Sequence, residues 1–269
     1  MADYSLDDLL YLMSRLRDPN DGCPWDLAQD FSSIVPHTLE ESYELADAIE
    51  AGDFQQIKEE LGDVLFQVVF YAQLAGEQQQ FDFTGVVTTL VEKLLRRHPH
   101  VFPQGQLQRR VAEQSADSRM VKRRWEEIKA SERKSKQQNG VLDDVPLALP
   151  ALTRAAKLQK RASQVGFDWH DIDGVLAQLR EEIDELIEAR QQYSATEIAE
   201  ELGDVLFCSV NLARHLKVDP ETALRAANRK FENRFRYIED TLSAQGLSPA
   251  QATLQQMDLL WDEAKEKGL

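Results

Sequence analysis

The run Glu59-Glu-Leu-Gly-Asp-Val-Leu-Phe-Gln-Val-Val-Phe-Tyr71 decides how this chain is read. Its second part, Val64 to Tyr71, is β-branched and aromatic enough for a buried strand. Its first part is strongly helical, and only Gly62 interrupts the continuation. A helix that is apolar on nearly all sides is a buried one. The run therefore reads as the central helix of a bundle, needing cover on several faces from a second unit or a second chain. Its first eight residues return unchanged as Glu200-Glu-Leu-Gly-Asp-Val-Leu-Phe207, 141 residues later. A second acidic pattern, Glu-Glu-x-x-Glu, precedes each copy at the same offset: Glu40, Glu41 and Glu44, then Glu181, Glu182 and Glu185. The expected fold is all-α, a tandem repeat of two helical-bundle units over 1–133 and 147–269. Residues 134–146 are polar, hold Gly140 and Pro146, and read as the linker.

Helix signals outside the repeat agree. Apolar residues recur at spacings of three and four. Thr38 with Glu41 and Ser194 with Glu197 fit capping boxes. Asp219-Pro220 and Ser248-Pro249 place a capping residue before a proline at the first helical position. The expected helices lie near 5–17, 37–51, 53–75, 84–97 and 117–136, then 151–163, 171–192, 195–216, 220–244 and 249–267. A net charge of −16 argues against a nucleic-acid polymer as partner, because phosphates would be repelled. It leaves room for a small nucleotide bridged by a metal. Cys23 and Cys208 form no framework and fit reduced thiols. No signal peptide and no membrane span is evident, so a cytoplasmic protein is expected.

The repeated acids carry the chemistry. Positions three or four apart share a helix face, so Glu182 pairs with Glu185, and Glu201 with Asp204. The connection near Tyr193–Ala195 is short, which makes the two helices antiparallel neighbours. Facing each other, they present four carboxylates to one spot. Without a cation such charges repel; with Mg2+ the repulsion becomes coordination by hard oxygen ligands. The equivalent set in the first half is Glu41, Glu44, Glu60 and Asp63. Gly62 and Gly203 suggest that the facing helix or a ligand approaches the backbone closely there. A ferritin-like di-iron site fails because no histidine has Glu three residues earlier. An EF-hand fails because Gly22 falls at the fifth position of its loop rather than the sixth. The plain alternative to a metal site is a solvated acidic face.

Cations and aromatics follow the acids in the same order in both halves. Lys93 and Arg97 recur as Lys230 and Arg234, one turn apart on a helix. Trp125 recurs as Trp261, each heading a Trp-acid-Glu-x-Lys run. A nucleoside triphosphate matches that order, with metal and cations on the phosphates and an aromatic face near the base. The tryptophans serve equally well as core anchors. Neither a P-loop nor a Gly-x-Gly-x-x-Gly fingerprint is present. His98-Pro-His100 reads as a loop at a helix end.

The paired acidic motifs, the run Gly22-Cys-Pro-Trp-Asp26 and the run Arg96-Arg-His-Pro-His-Val-Phe102 together resemble the MazG family of all-α nucleoside triphosphate pyrophosphohydrolases. The resemblance covers nearly the whole chain. It implies Mg2+-dependent cleavage of NTPs and dNTPs between the α and β phosphates, giving a nucleoside monophosphate and pyrophosphate. Mn2+ is a substitute cation, and a homodimer is implied. By match to the motif, Glu182, Glu185, Glu201 and Asp204 hold the metal, and Lys230, Arg234 and Trp261 contact nucleotide, with Glu200 beside them. Glu181 and Glu182 are the candidate bases. The second half is expected to be the active one. It carries additional acids at Asp184, Glu188, Glu197 and Glu200, and the family commonly keeps the C-terminal unit active. Two rivals remain: a non-enzymatic acidic helical adaptor, and a narrow house-cleaning dNTPase.

Overall fold

Gly52 and Asp53 set the sharpest turn of the first half. Gly52 closes one helix in the left-handed region at φ 73°, where a side chain would be strained. Asp53 then caps the next helix, accepting from the backbone of Gln55 and Gln56. The computed structural model describes residues 3–109, 120, 124, 125, 128, 132, 140–192 and 195–269. These divide into two compact units, Met1–Lys129 and Ala130–Leu269. Ten α-helices and two 3-10 turns are found among the described residues, with no strand.

The first unit holds α1 (Leu6–Leu16), the short α2 (Pro24–Leu27), α3 (Phe31–Ala51), α4 (Phe54–Glu77) and α5 (Phe83–Arg97). The run that could have been a strand lies wholly inside α4. Helices α3 and α4 pair along their length, and α1 and α5 lie against α4. Met13, Ile34, Val69, Phe70 and Leu74 form the core. Arg17 is drawn into it: its guanidinium forks onto Glu77 at 2.8 and 2.7 Å and donates to Asp26 O. It also lies 5.4 Å from the Phe70 ring centroid. Burial of α4 is one-sided, since Leu61, Leu65 and Val68 stay exposed.

The second unit holds α6 (Ala151–Ser163), α7 (Ile172–Gln192), α8 (Ala195–His215), α9 (Pro220–Ala244) and α10 (Leu254–Glu266). Helices α7 and α8 pair as α3 and α4 do, α6 packs on α8, and α9 pairs with α10. Leu202, Leu206 and Phe207 on α8 are exposed, so both copies leave apolar side chains uncovered on their central helix. No helix among the described residues is long and apolar enough to cross a membrane.

Three expectations change. Helix α3 starts at Phe31 rather than near 37. Its cap is Asp30 in a reciprocal box with Ser33, and Pro36 sits inside the helix. Thr38 is mid-helix, with its hydroxyl on Ile34 O and 2.9 Å from the Tyr71 hydroxyl. Ser248-Pro249 opens only a 3-10 turn, and the last helix begins at Leu254 behind a Thr253–Gln256 capping box. Asp219 caps α9 as expected, accepting from Thr222 N. Ser194, the linker residues 134–139 and most of the expected helix 117–136 lie outside the described residues.

Candidate active site

Each copy builds its acidic cluster from one antiparallel helix pair. Carboxylate oxygens of Glu182 on α7 and of Glu201 and Asp204 on α8 all lie within 4.8 Å of one another. Glu41 on α3 and Glu60 and Asp63 on α4 do the same in the first unit. Glu185 and Glu44 stand outside these groups of three, and Glu185 feels its cluster. Desolvation, followed by the charges of Glu201, Glu182, Glu181 and Glu188, holds the Glu185 carboxyl above its ordinary value. Desolvation also raises Glu41, with Asp63, Glu44, Glu60 and Glu40 adding repulsion. Such crowding is electrostatically uphill unless a cation joins, and all-oxygen donors suit a hard divalent ion. The residues therefore fit a metal, with Glu182, Glu201 and Asp204 placed to hold it and Glu185 one turn away.

Two neighbours fix Glu182. Gln178 Nε2 donates to its Oε1 at 2.9 Å, and the Cys208 thiol lies 3.9 Å from the same oxygen. Burial, with Glu182 and Asp204 close by, pushes the Cys208 pKa up to about 11. Without a cation in the cluster the thiol thus keeps its proton at neutral pH.

The glycine expectation is corrected within the chain. A Cβ built at Gly62 or Gly203 meets nothing within 4 Å among the described residues, so no described helix demands a glycine there. Lys230 is exposed on α9. Arg234 lies 5.4 Å from the Trp261 ring centroid and donates to Leu269 O at 2.7 Å. Trp261 also packs against Phe231, at 5.3 Å between centroids. The cation and the aromatic of the second unit therefore meet each other, while Glu181 and Glu200 remain exposed on α7 and α8. In the first unit, Lys93 and Arg97 lie on α5, and the Trp125 ring is 6.1 Å from His98.

A further group escaped sequence reasoning. Asp168 is clasped by Arg214, with 2.9 Å to Nη1, and by His215 at 3.1 Å. The Arg214 guanidinium holds its carboxyl below the ordinary range. Arg214 Nε also donates to Asn211 Oδ1 at 3.0 Å. These residues carry no motif; only copy-against-copy comparison would have singled out Asn211, which stands where the first copy has Phe70.

Comparison with known proteins now decides the kinship. The profile of the MazG nucleotide pyrophosphohydrolase domain matches residues 29–102 and again 171–238. The chain belongs to the MazG family. It is 49% identical over 265 residues to the nucleoside triphosphate pyrophosphohydrolase of Escherichia coli K12, covering 97% of both chains. To the nucleoside triphosphate pyrophosphohydrolase/pyrophosphatase MazG of Thermotoga maritima it is 44% identical, covering 98% of this chain and 97% of that one. It is 43% identical to the uncharacterized protein YabN of Bacillus subtilis, covering 95% of this chain and 50% of that protein. Both MazG matches span the helix pairs that carry the acidic clusters. MazG membership makes the chain a hydrolase of nucleotide anhydride bonds.

Proposed function

We propose that the second unit, residues 147–269, hydrolyses NTPs and dNTPs between the α and β phosphates, with Mg2+ as cofactor and Mn2+ as a substitute. The convergence of Glu182, Glu201 and Asp204 within 4.8 Å carries this reading, and the relatives' activity supports it. Glu182, Glu185, Glu201 and Asp204 hold the metal. When bound, the cation supplies Lewis acidity to the phosphoryl oxygens and acidifies a water. Glu181 or Glu182 takes the proton of the attacking water. As the water oxygen bonds to the α phosphorus, the bond from that phosphorus to the α–β bridging oxygen breaks, and its electron pair leaves on pyrophosphate. Lys230 and Arg234 meet that charge, Arg234 after giving up Leu269 O. Trp261 and Glu200 complete the substrate contacts.

The first unit, residues 1–133, carries the matching set Glu41, Glu44, Glu60, Asp63, Lys93, Arg97 and Trp125 and serves chiefly dimerisation or regulation. Exposed Leu61 and Leu65, and their repeats Leu202 and Leu206, favour a homodimer that covers the central helices. The test is pyrophosphate release from a panel of NTPs and dNTPs by Asp204→Ala and Asp63→Ala, with helicity followed by circular dichroism. Asp204→Ala should abolish turnover and Asp63→Ala should retain it; full activity in a folded Asp204→Ala protein refutes the assignment.

A further inference from the structure

The two acidic clusters share their carboxylates and differ in what holds them. Glu182 on α7 and Glu41 on α3 occupy the same place in the repeat. A carboxylate oxygen of each lies within 4.8 Å of two more from the facing helix. A glutamate has several rotatable bonds, and two like charges turn it toward solvent unless a neighbour fixes it.

Gln178, one turn earlier on α7, is such a neighbour. It is half-buried, and its Nε2 donates to Glu182 Oε1 at 2.9 Å. From the facing helix, the buried Cys208 thiol lies 3.9 Å from the same oxygen. One oxygen of Glu182 is therefore engaged from both helices, and the other is left for a cation. The amide carries no charge, so it aims the carboxylate without neutralising the cluster that a divalent ion needs.

The first copy has different residues at both places. The counterparts 141 positions earlier are His37 and Gln67. His37 lies one turn before Glu41, but its Nδ1 is 3.6 Å from Glu40 Oε2. Its ring packs edge-on against Trp25, at 5.8 Å between centroids. The side chain thus turns to the neighbour of Glu41.

We infer that Gln178 is a positioning residue of the second unit: by holding Glu182 Oε1 it presents this carboxylate to the cation together with Glu201 and Asp204, and so sets the second cluster above the first in cation affinity. The inference rests on the hydrolase reading above. Gln178 acts through Glu182 rather than on the substrate. An outer hydrogen-bond partner of a ligand is worth about tenfold to a hundredfold in metal affinity.

The experiment reads cation binding without nucleotide. Mn2+ is titrated into the full chain, and free Mn2+ is followed by electron paramagnetic resonance. An Asp63→Ala background disables the first cluster, so that the second is read alone. There Gln178→Leu should raise the Mn2+ Kd about tenfold or more. In turnover it should raise the Mg2+ concentration at half-maximal rate by a similar factor and leave kcat at saturating Mg2+ within about twofold, a split that general damage to the fold would not give. In an Asp204→Ala background, which leaves the first cluster to be read, His37→Gln should tighten Mn2+ binding about threefold or more. Circular dichroism verifies that each variant is folded. An unchanged Mn2+ Kd in folded Gln178→Leu overturns the positioning role and leaves the hydrolase reading intact. No gain from His37→Gln overturns the claim that this residue separates the two clusters. An Asp63→Ala chain that binds no Mn2+ overturns both the inference and the metal reading beneath it.

Discussion

Glutamine in place of Glu60 and Glu201 removes one charge from each acidic cluster at nearly constant shape, and should stabilise the metal-free protein. Each glutamate has two carboxylate neighbours within 4.8 Å. At that distance two unit charges in water repel by about 0.9 kcal/mol. Screening over a Debye length of about 8 Å at physiological salt leaves roughly half of that per pair. Two pairs give about 1 kcal/mol for each unit, worth a rise of about 2–4 °C in melting temperature. In Mg2+ the order should reverse. The wild type gains about 2.7 kcal/mol at a cation concentration a hundredfold above Kd, and the double variant gains little. Thermal melts by circular dichroism, in EDTA and in Mg2+, read both arms. A double variant that melts below the wild type in EDTA, or that keeps the full Mg2+ gain, refutes the idea that these carboxylates are held together against their own repulsion for a cation.

Two further outcomes are expected. The hydrogen bond from Arg214 depresses the folded-state pKa of Asp168, so this interaction stabilises fully above the unfolded carboxylate value of about 4 and is lost as pH falls through the lower folded value. Acid titration of the melting temperature should therefore be shallower below about pH 4 in Asp168→Asn than in the wild type; parallel curves would remove Asp168 from the acid response. Arg17→Met should destabilise the first unit by about 2–4 kcal/mol, because it takes away the forked bond to Glu77 and the donors to Asp26 O and Gln29 O. Glu77 is partly solvated, which keeps the loss below that of a fully buried orphan charge. Urea unfolding measures it, and a change under about 0.5 kcal/mol would contradict the role of Arg17 as a core tie.

The chain was legible where patterns repeat. One octapeptide and one acidic pattern at a common offset revealed the tandem helix pairs, and the same spacing put Glu182, Glu201 and Asp204 on facing helices. Start sites were less legible, because several capping residues compete. Thr38 and Ser248 have good capping chemistry, but Asp30 and Thr253 make the caps of α3 and α10. The expected start near residue 37 misses a turn and a half of α3, because Pro36 is carried within the helix while Ile34 before it is buried in the core. Gly62 and Gly203 suggested close approach of a facing helix or a ligand, and no described residue of the chain comes within 4 Å of a Cβ there. A cavity of about 240 Å3 in the second unit was not legible at all. It is room left over where two helices, α6 and α8, meet the loop at 167–169 around Asn211, and periodicity does not encode leftover volume.

The exchange of a ring for an amide also governs where the molecule is soft. The first half is knit by Phe70, Met13 and Ile34 in one cluster, whereas the second buries Val175, Val210, Ile238 and Leu242, with the amide of Asn211 in place of the ring. A half that is hollow until something enters it opens more readily when empty. A ligand that fills the cavity of about 240 Å3 beside Asn211 should therefore raise the protease resistance of the C-terminal half.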